Sequence, residues 1–296
     1  MKTITSPPKY PVSAVMITYN EAKNLRRTIS QLSWCDEIIV VDSFSTDGTE
    51  RIARDMHCKL IQRVFESYSE QKSFAISKSK NDWVLCLDAD EYLTSELVEE
   101  IKQELQNLEN IQAFALPSNL VFRKQRFRFG RESRRMVVKL FNRNTCHMSN
   151  DRVHEKIIVQ GKTKNLEGRL LHYSYRDITQ YFTKFDRYTE WGAEKYFLEG
   201  KRKSMPLILI CLPYYFLRYY MADRNFLNGL NGFYWSALMA FYHFVKYVKL
   251  EDLVQADNSL YYTPLKSKKS QMNLQGSHLQ VTEYGGLIRH KKNDRL

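Results

Sequence analysis

Three carboxylates crowd into four positions at Asp88, Asp90 and Glu91, at the end of the apolar run "VLCLDADEYL". Like charges this close repel, so either a solvated turn or a cation must hold them. Asp88 and Asp90 stand two apart, which in extended chain puts both on one side. Two hard oxygen ligands so placed suit Mg²⁺ or Mn²⁺ that also takes phosphate oxygens. Asp42 closes another apolar run and is free to accept hydrogen bonds from a base or ribose. "GxGxxG" and "GxxxxGK[ST]" are both absent, so phosphates must be neutralised by the metal and by side chains.

Elements that alternate in type position these acids. "VSAVMIT" (12–18), "DEIIVVD" (36–42), "CKLIQRV" (58–64) and "DWVLCLD" (82–88) read as strands. Helical spacing lies between them, at 20–32, 50–57 and 69–80, and again at 94–108. Such alternation predicts an α/β fold with a doubly wound, mostly parallel sheet. Ligands then bind outside the carboxyl ends of the strands, where strand order reverses. Thr18, Asn20, Glu21, Asp42, Asp88 and Asp90 all fall at such ends, which makes one rim of them. From 112 to 175, strands at "AFALPSNLVF", "MVVKLFN", "HEKIIVQ" and "RLLHYSY" follow without helices, as a mixed-sheet extension. Asp177 caps a long helix that stops at Gly200.

The 296 residues allow one large domain or one with an appendage, and 43% are hydrophobic, enough for a sizeable core. Domain limits are expected at 10–176, 177–252 and 253–296, the last a basic polar tail. Five cysteines with no CxxC pair predict buried free thiols in a reducing compartment. "MKTITSPPKYP" has no apolar core and predicts no signal peptide. The net charge of +12 implies acidic partners. Seven basic residues and one acid lie in 123–135, either as a solvated loop or as a contact for a phosphorylated acceptor. Residues 205–222 and 226–250 carry thirteen Phe, Tyr and Trp with basic flanks. That pattern predicts helices lying on an anionic membrane surface, with a buried hairpin as the alternative. No nucleic-acid motif is present, and nucleic acid is not expected as a partner.

"ITYNEAKNL", "EIIVVDSFSTDGT" and "DWVLCLDADE" resemble the signatures of family 2 inverting glycosyltransferases with the GT-A fold. "VHE", "HYSYRD" and "FYWSALMAFYHFVKYVKL" are similar to the bacterial lipopolysaccharide core β-1,4-glucosyltransferase-like branch. Phe44, where glycine is common, and Ser73, where asparagine is usual, depart from the pattern. The resemblance implies that Thr18, Asn20, Glu21 and Asp42 line a nucleotide pocket, with Asp42 on the uracil side. It implies Asp88 facing the ribose, Asp90 holding the metal, and Gln71 and Lys72 near the diphosphate or donor sugar. Asp151, His154 and Glu155 are the candidates for the base, and Glu155 is the choice the family motif implies. His154 reads equally as a phosphate contact, a metal ligand or a packed strand histidine; His172 reads as structural.

The implied activity is metal-dependent transfer of a sugar, glucose in the branch, from a UDP-sugar to a lipopolysaccharide core or related cell-envelope acceptor. The implied place is the inner face of the cytoplasmic membrane, peripherally bound. Transfer to a polyprenyl phosphate, or a non-catalytic protein that binds anionic lipid or nucleic acid, are the alternatives.

Overall fold

The computed structural model describes residues 9–149, 156–175 and 177–262. The chain divides into a compact unit over 1–256 and a second over 257–296. Asp151, His154 and Glu155 lie outside the described residues.

The first half alternates as its sequence predicts. β1 (Val12–Thr18), α1 (Ala22–Ser30), β2 (Glu37–Asp42), α2 (Thr49–Asp55), β3 (Lys59–Gln62), α3 (Tyr68–Ser77) and β4 (Trp83–Asp88) follow in order. Next come β5 (Glu91–Leu93), α4 (Ser95–Glu104), β6 (Ile111–Phe122), β7 (Gln125–Arg126), β8 (Arg135–Asn142), β9 (Cys146–Met148), β10 (Ile157–Val159), β11 (Lys162–Asn165) and β12 (Leu170–His172). The chain continues through α5 (Ile178–Leu198), α6 (Met205–Leu217) and α7 (Gly229–Tyr262). Polar side chains start three of these helices: Ser67, Thr94 and Asp177 accept from the backbone N–H of Glu70, Leu97 and Gln180.

The main sheet runs β3-β2-β1-β4-β8-β6-β12-β5, with β7 and β11 also paired to β6. β1 to β4 are parallel, and strand order reverses between β1 and β4. β8 is antiparallel to both β4 and β6, so β6 runs the same way as β4. This makes 111–175 the mixed extension its sequence predicts, with two differences. β10 leaves the main sheet and, among the described residues, pairs only with β9. Glu91–Leu93, to which the sequence assigned no element, is a strand antiparallel to β12 at the sheet edge.

Alternation within the parallel strands explains their continuous apolar sequences. Ala14, Met16, Val40, Leu85 and Leu87 face α1, α2 and α4 through Leu25, Ala53 and Leu97. Val15, Ile39, Val41, Val84 and Cys86 face the other way, towards Ala75 of α3. Each Val, Ile, Leu or Met among them, fully buried, contributes roughly 1.5–3 kcal/mol.

The aromatic region divides its faces. Trp235 of α7 packs with Phe122, Phe127, Tyr181 and Phe185, joining α7 to α5 and the end of β6. α6 touches α7 through Ile208 and Cys211, beside Tyr247 and Leu250. Its other side is open: Leu207, Leu209, Ile210 and Leu217 are exposed. The segment Met205–Ala222 has the length and composition to cross a membrane, and 17% of it is buried. The five cysteines are free thiols.

Candidate active site

The carboxyl ends of β1, β2 and β4 meet on one rim, as their register requires. Thr18 is paired with Asp42 and Ile17 with Asp88. Thr18 Oγ donates to Asp42 Oδ1 at 2.8 Å, Ser45 Oγ donates to the same oxygen, and Ser45 N–H donates to Asp42 Oδ2 at 2.8 Å. Asp42 is wholly buried. Three of its four acceptor positions are thus taken by Thr18 and Ser45, so it is less open to a base or ribose than its place at a strand end suggests. In this conformation the carboxylate ties together the loops after β1 and β2.

Asn20 continues that tie. It sits at φ 56°, a left-handed geometry asparagine tolerates, and its side-chain oxygen accepts from Thr46 N–H at 2.8 Å. Glu21 N–H donates to Thr49 Oγ at 2.9 Å, and Glu21 Oε2 accepts from Asn24 at 2.8 Å. Gly48, at φ 91°, lets the turn enter α2. Phe44 stands in the same loop at φ 58°, where a large side chain is strained by about 1–2 kcal/mol. Its ring is exposed on the rim beside Asp42.

The crowded carboxylates each have a cation. Asp88 Oδ1 pairs with Lys72 Nζ at 2.8 Å and Oδ2 with Lys139 Nζ at 2.9 Å. Lys139 also reaches Glu91 Oε2 at 2.6 Å, and Glu91 accepts from Asp88 N–H at 2.9 Å. Burial alone would raise the Asp88 carboxyl, but Lys139 and Lys72 hold it well below the usual carboxylate range. Burial would lower Lys139, and Asp88 and Glu91 overcome it and raise it. Asp88 as a metal ligand does not match this arrangement. Both its oxygens already face ammonium groups, which repel a second cation.

Asp90 is built differently. Residues 89–90 form a turn between β4 and β5, so the extended, same-side geometry expected for Asp88 and Asp90 is not formed. The turn is fixed by Thr28 Oγ donating to Ala89 O at 2.7 Å and Tyr173 N–H donating to Asp90 O at 2.9 Å. His172, in register with Glu91 across the β5–β12 pair, brings Nε2 to 3.3 Å from Asp90 Oδ1. Lys184 Nζ stands 4.0 Å from the other oxygen. Burial opposes ionisation of Asp90, and His172 and Lys184 outweigh it, lowering its carboxyl. His172, read from the sequence as structural, reaches the acidic turn from the end of β12. Its only sequence signal is position, at the end of a strand beside an acid-rich one; Lys139 and Lys184 carried none.

Gln71 and Lys72 arrive from α3. Gln71 is wholly buried and donates to Ser43 Oγ at 3.1 Å, while Lys72 is spent on Asp88. Ser69, also on α3, donates to Ser149 O, and Ser149 and Lys156 exchange hydrogen bonds at 2.7 and 3.0 Å. Ser149 and Lys156 are thus held together, and Ser149 is held at the first turn of the helix that carries Gln71 and Lys72.

Removing Lys139 leaves Asp88 and Glu91 against each other in a largely buried place. Breaking a buried pair costs about 3–5 kcal/mol, and the low end applies because Asp88 is partly open to water. Lys139→Met is expected to lower stability by about 3 kcal/mol in urea unfolding; a change below about 1 kcal/mol would show that solvent already screens the cluster.

The sheet, parallel over β1 to β4 and mixed beyond, thus carries at its reversal point a lysine-neutralised acid beside a carboxylate–imidazole pair. The model for glycosyl transferase family 2 matches residues 13–165, and the chain belongs to that family. It is 30% identical over 276 residues to an uncharacterized glycosyltransferase of Rickettsia typhi, covering 85% of this chain and 92% of the relative. It is 28% identical to the lipopolysaccharide core biosynthesis glycosyltransferase LpsC of Rhizobium meliloti, covering 82% and 93%. Among solved structures, S. aureus TarS with UDP-GlcNAc matches 39% of this chain and 36% of its own, at 20% identity and a TM-score of 0.34. Glucosyl-3-phosphoglycerate synthase of Mycobacterium tuberculosis with Mn²⁺ and UDP matches 38% and 44%, at 24% identity and 0.33.

Proposed function

We propose that this glycosyltransferase takes a sugar from a UDP-sugar, with Mg²⁺ or Mn²⁺ held by Asp90 and His172, and passes it to a lipopolysaccharide core or related cell-envelope acceptor. The observation that carries the reading is the Asp90–His172 pair, 3.3 Å apart at the strand-order reversal. Asp90 offers the hard carboxylate oxygen that suits Mg²⁺ or Mn²⁺, and His172, which Asp90 favours in its protonated form, would add an imidazole nitrogen once the ion displaces that proton. Among the described residues no three His, Cys, Asp or Glu side chains gather to hold a metal alone. Two protein ligands suit a cation completed by the donor's phosphates and water. Bound there, the ion would neutralise charge on the departing diphosphate.

The chain's own residues would do the rest. Lys72 and Lys139 keep Asp88 ionised and fixed, leaving it to face the ribose. Thr18, Asn20, Glu21 and Asp42 shape the nucleotide loop, with Gln71 bracing it through Ser43. Glu155 would take the acceptor's proton. The acceptor class is supported by the likeness to LpsC, glucose by the branch resemblance alone. The exposed face of α6, with Lys201, Arg202 and Lys203 before it, supports peripheral binding to an anionic membrane at the cytoplasmic side. The length of Met205–Ala222 favours a second reading, a polyprenyl phosphate acceptor.

The test is thermal melting with UDP, with and without Mn²⁺, beside UDP release from a panel of UDP-sugars. UDP at about a hundred times its dissociation constant adds about 2.7 kcal/mol of stability. The expected result is a rise in melting temperature that needs the metal, and one UDP-sugar preferred. An equal rise in chelator would remove the metal from the reading; release from no UDP-sugar would remove the donor.

A further inference from the structure

The basic stripe 123–135 is not a free loop. β6 and β7 pair Phe122 with Gln125, so Arg123 and Lys124 are the whole of a two-residue turn. Both have positive φ, 49° and 66°. Such turns favour Asn-Gly, and two long cationic side chains there are held against their backbone preference. All seven basic residues of the stripe are exposed, and none pairs with a described carboxylate. Because β6 runs the same way as β4, the turn stands on the rim that carries Asp88 and Asp90.

The stripe is fastened to the tip of the α6–α7 hairpin. Asn228, buried, accepts from the N–H of Arg128 at 3.0 Å and of Phe129 at 3.3 Å, and donates to Phe129 O at 3.0 Å. Gln125 donates to Asn228 O at 3.0 Å, and Asn231 donates to Gln125 Oε1 at 2.7 Å. Arg123 lies over the Tyr234 ring at 4.9 Å. Gly130 has no room for a Cβ, which would fall 2.4 Å from Asn225 Oδ1. An open cavity of ≈ 490 Å³ lies where the two parts meet, lined by Arg123 and Gln125 of the stripe and by Leu227, Asn228, Leu230 and Asn231 of the hairpin tip. Leu227 and Leu230 are exposed, and Arg224, also at positive φ, flanks them.

We propose that this cavity binds the phosphorylated headgroup of an anionic membrane phospholipid. Arginine and amide donors meet the phosphate, Lys124 and Arg126 add charge around it, and Leu227 and Leu230 point the site at the acyl boundary. The inference deepens the membrane reading above and rests on it. The polar latch at Asn228 makes the headgroup contact and the apolar helix one body, which sets the catalytic rim at a fixed height over the bilayer.

The test is sedimentation of the full chain with phosphatidylcholine vesicles, with and without phosphatidylglycerol. The variant R123N/K124G gives the turn the residues its geometry favours, so folding is preserved and its melting temperature is expected to hold or rise. R51Q/K162Q removes the same charge from exposed positions outside this turn. Phosphatidylglycerol binding is expected to fall roughly tenfold or more in R123N/K124G and by much less in R51Q/K162Q. Equal losses in the two variants, or none, with the wild-type chain still bound, overturn the headgroup site and leave the membrane reading standing. A wild-type chain that sediments with neither vesicle overturns both.

Discussion

Asp90→Asn is expected to lower sugar transfer by roughly 10²–10³ while weakening UDP binding far less. Asparagine keeps the size of the side chain and its place in the turn, since Ala89 O and Asp90 O, which Thr28 and Tyr173 hold, are backbone atoms. It removes the negative charge that stands 3.3 Å from His172 Nε2. A neutral amide holds a divalent cation poorly, and the cation matters most where the diphosphate gathers charge on leaving. That stabilisation is greater in the transition state than in the ground state, so turnover suffers more than affinity. Measuring UDP release and the Mn²⁺-dependent melting shift on the same variant separates the two. Full metal-dependent activity in Asp90→Asn would make Asp90 a turn residue, with His172 merely its partner.

The sheet was legible because its strands are short, apolar and two-sided. Val15 and Met16 face opposite helical layers, so the run between charged ends reads as a buried parallel strand. The rim was legible for the same reason: parallel strands send Thr18, Asp42 and Asp88 to one end. What the sequence did not carry was how the acids are neutralised. Lys72, Lys139, His172 and Lys184 come from α3, β8, β12 and α5, and no spacing rule links them to Asp88 or Asp90. Period-two reasoning also failed at Asp90, because the chain turns at Ala89 to start β5, a three-residue edge strand too short to show alternation. Asp42 looked available as the last residue of a strand. Its burial depends on Ser45, three residues on, folding back over it. In the basic stripe, charge was visible and geometry was not: nothing in "RKQR" announces a two-residue turn at positive φ.

Glu155→Gln is expected to separate binding from chemistry in the opposite way to Asp90→Asn. The acceptor hydroxyl must lose a proton as it attacks opposite the leaving diphosphate, and a positioned base contributes roughly 10²–10⁴ to such a step. Glutamine keeps the length and hydrogen-bonding reach of the side chain but accepts no proton near neutral pH. The hydrogen bonds among Ser69, Ser149 and Lys156, and the Asp90–His172 pair, are made by other residues' atoms, which the substitution does not change. The Mn²⁺-dependent melting shift with UDP should therefore match the unsubstituted chain, while transfer to acceptor falls by roughly 10²–10⁴. Transfer retained within tenfold would move the base elsewhere, and Asp151→Asn, four residues earlier in the sequence, would then be the variant that loses it. A lost UDP shift in Glu155→Gln would instead make Glu155 part of the donor site.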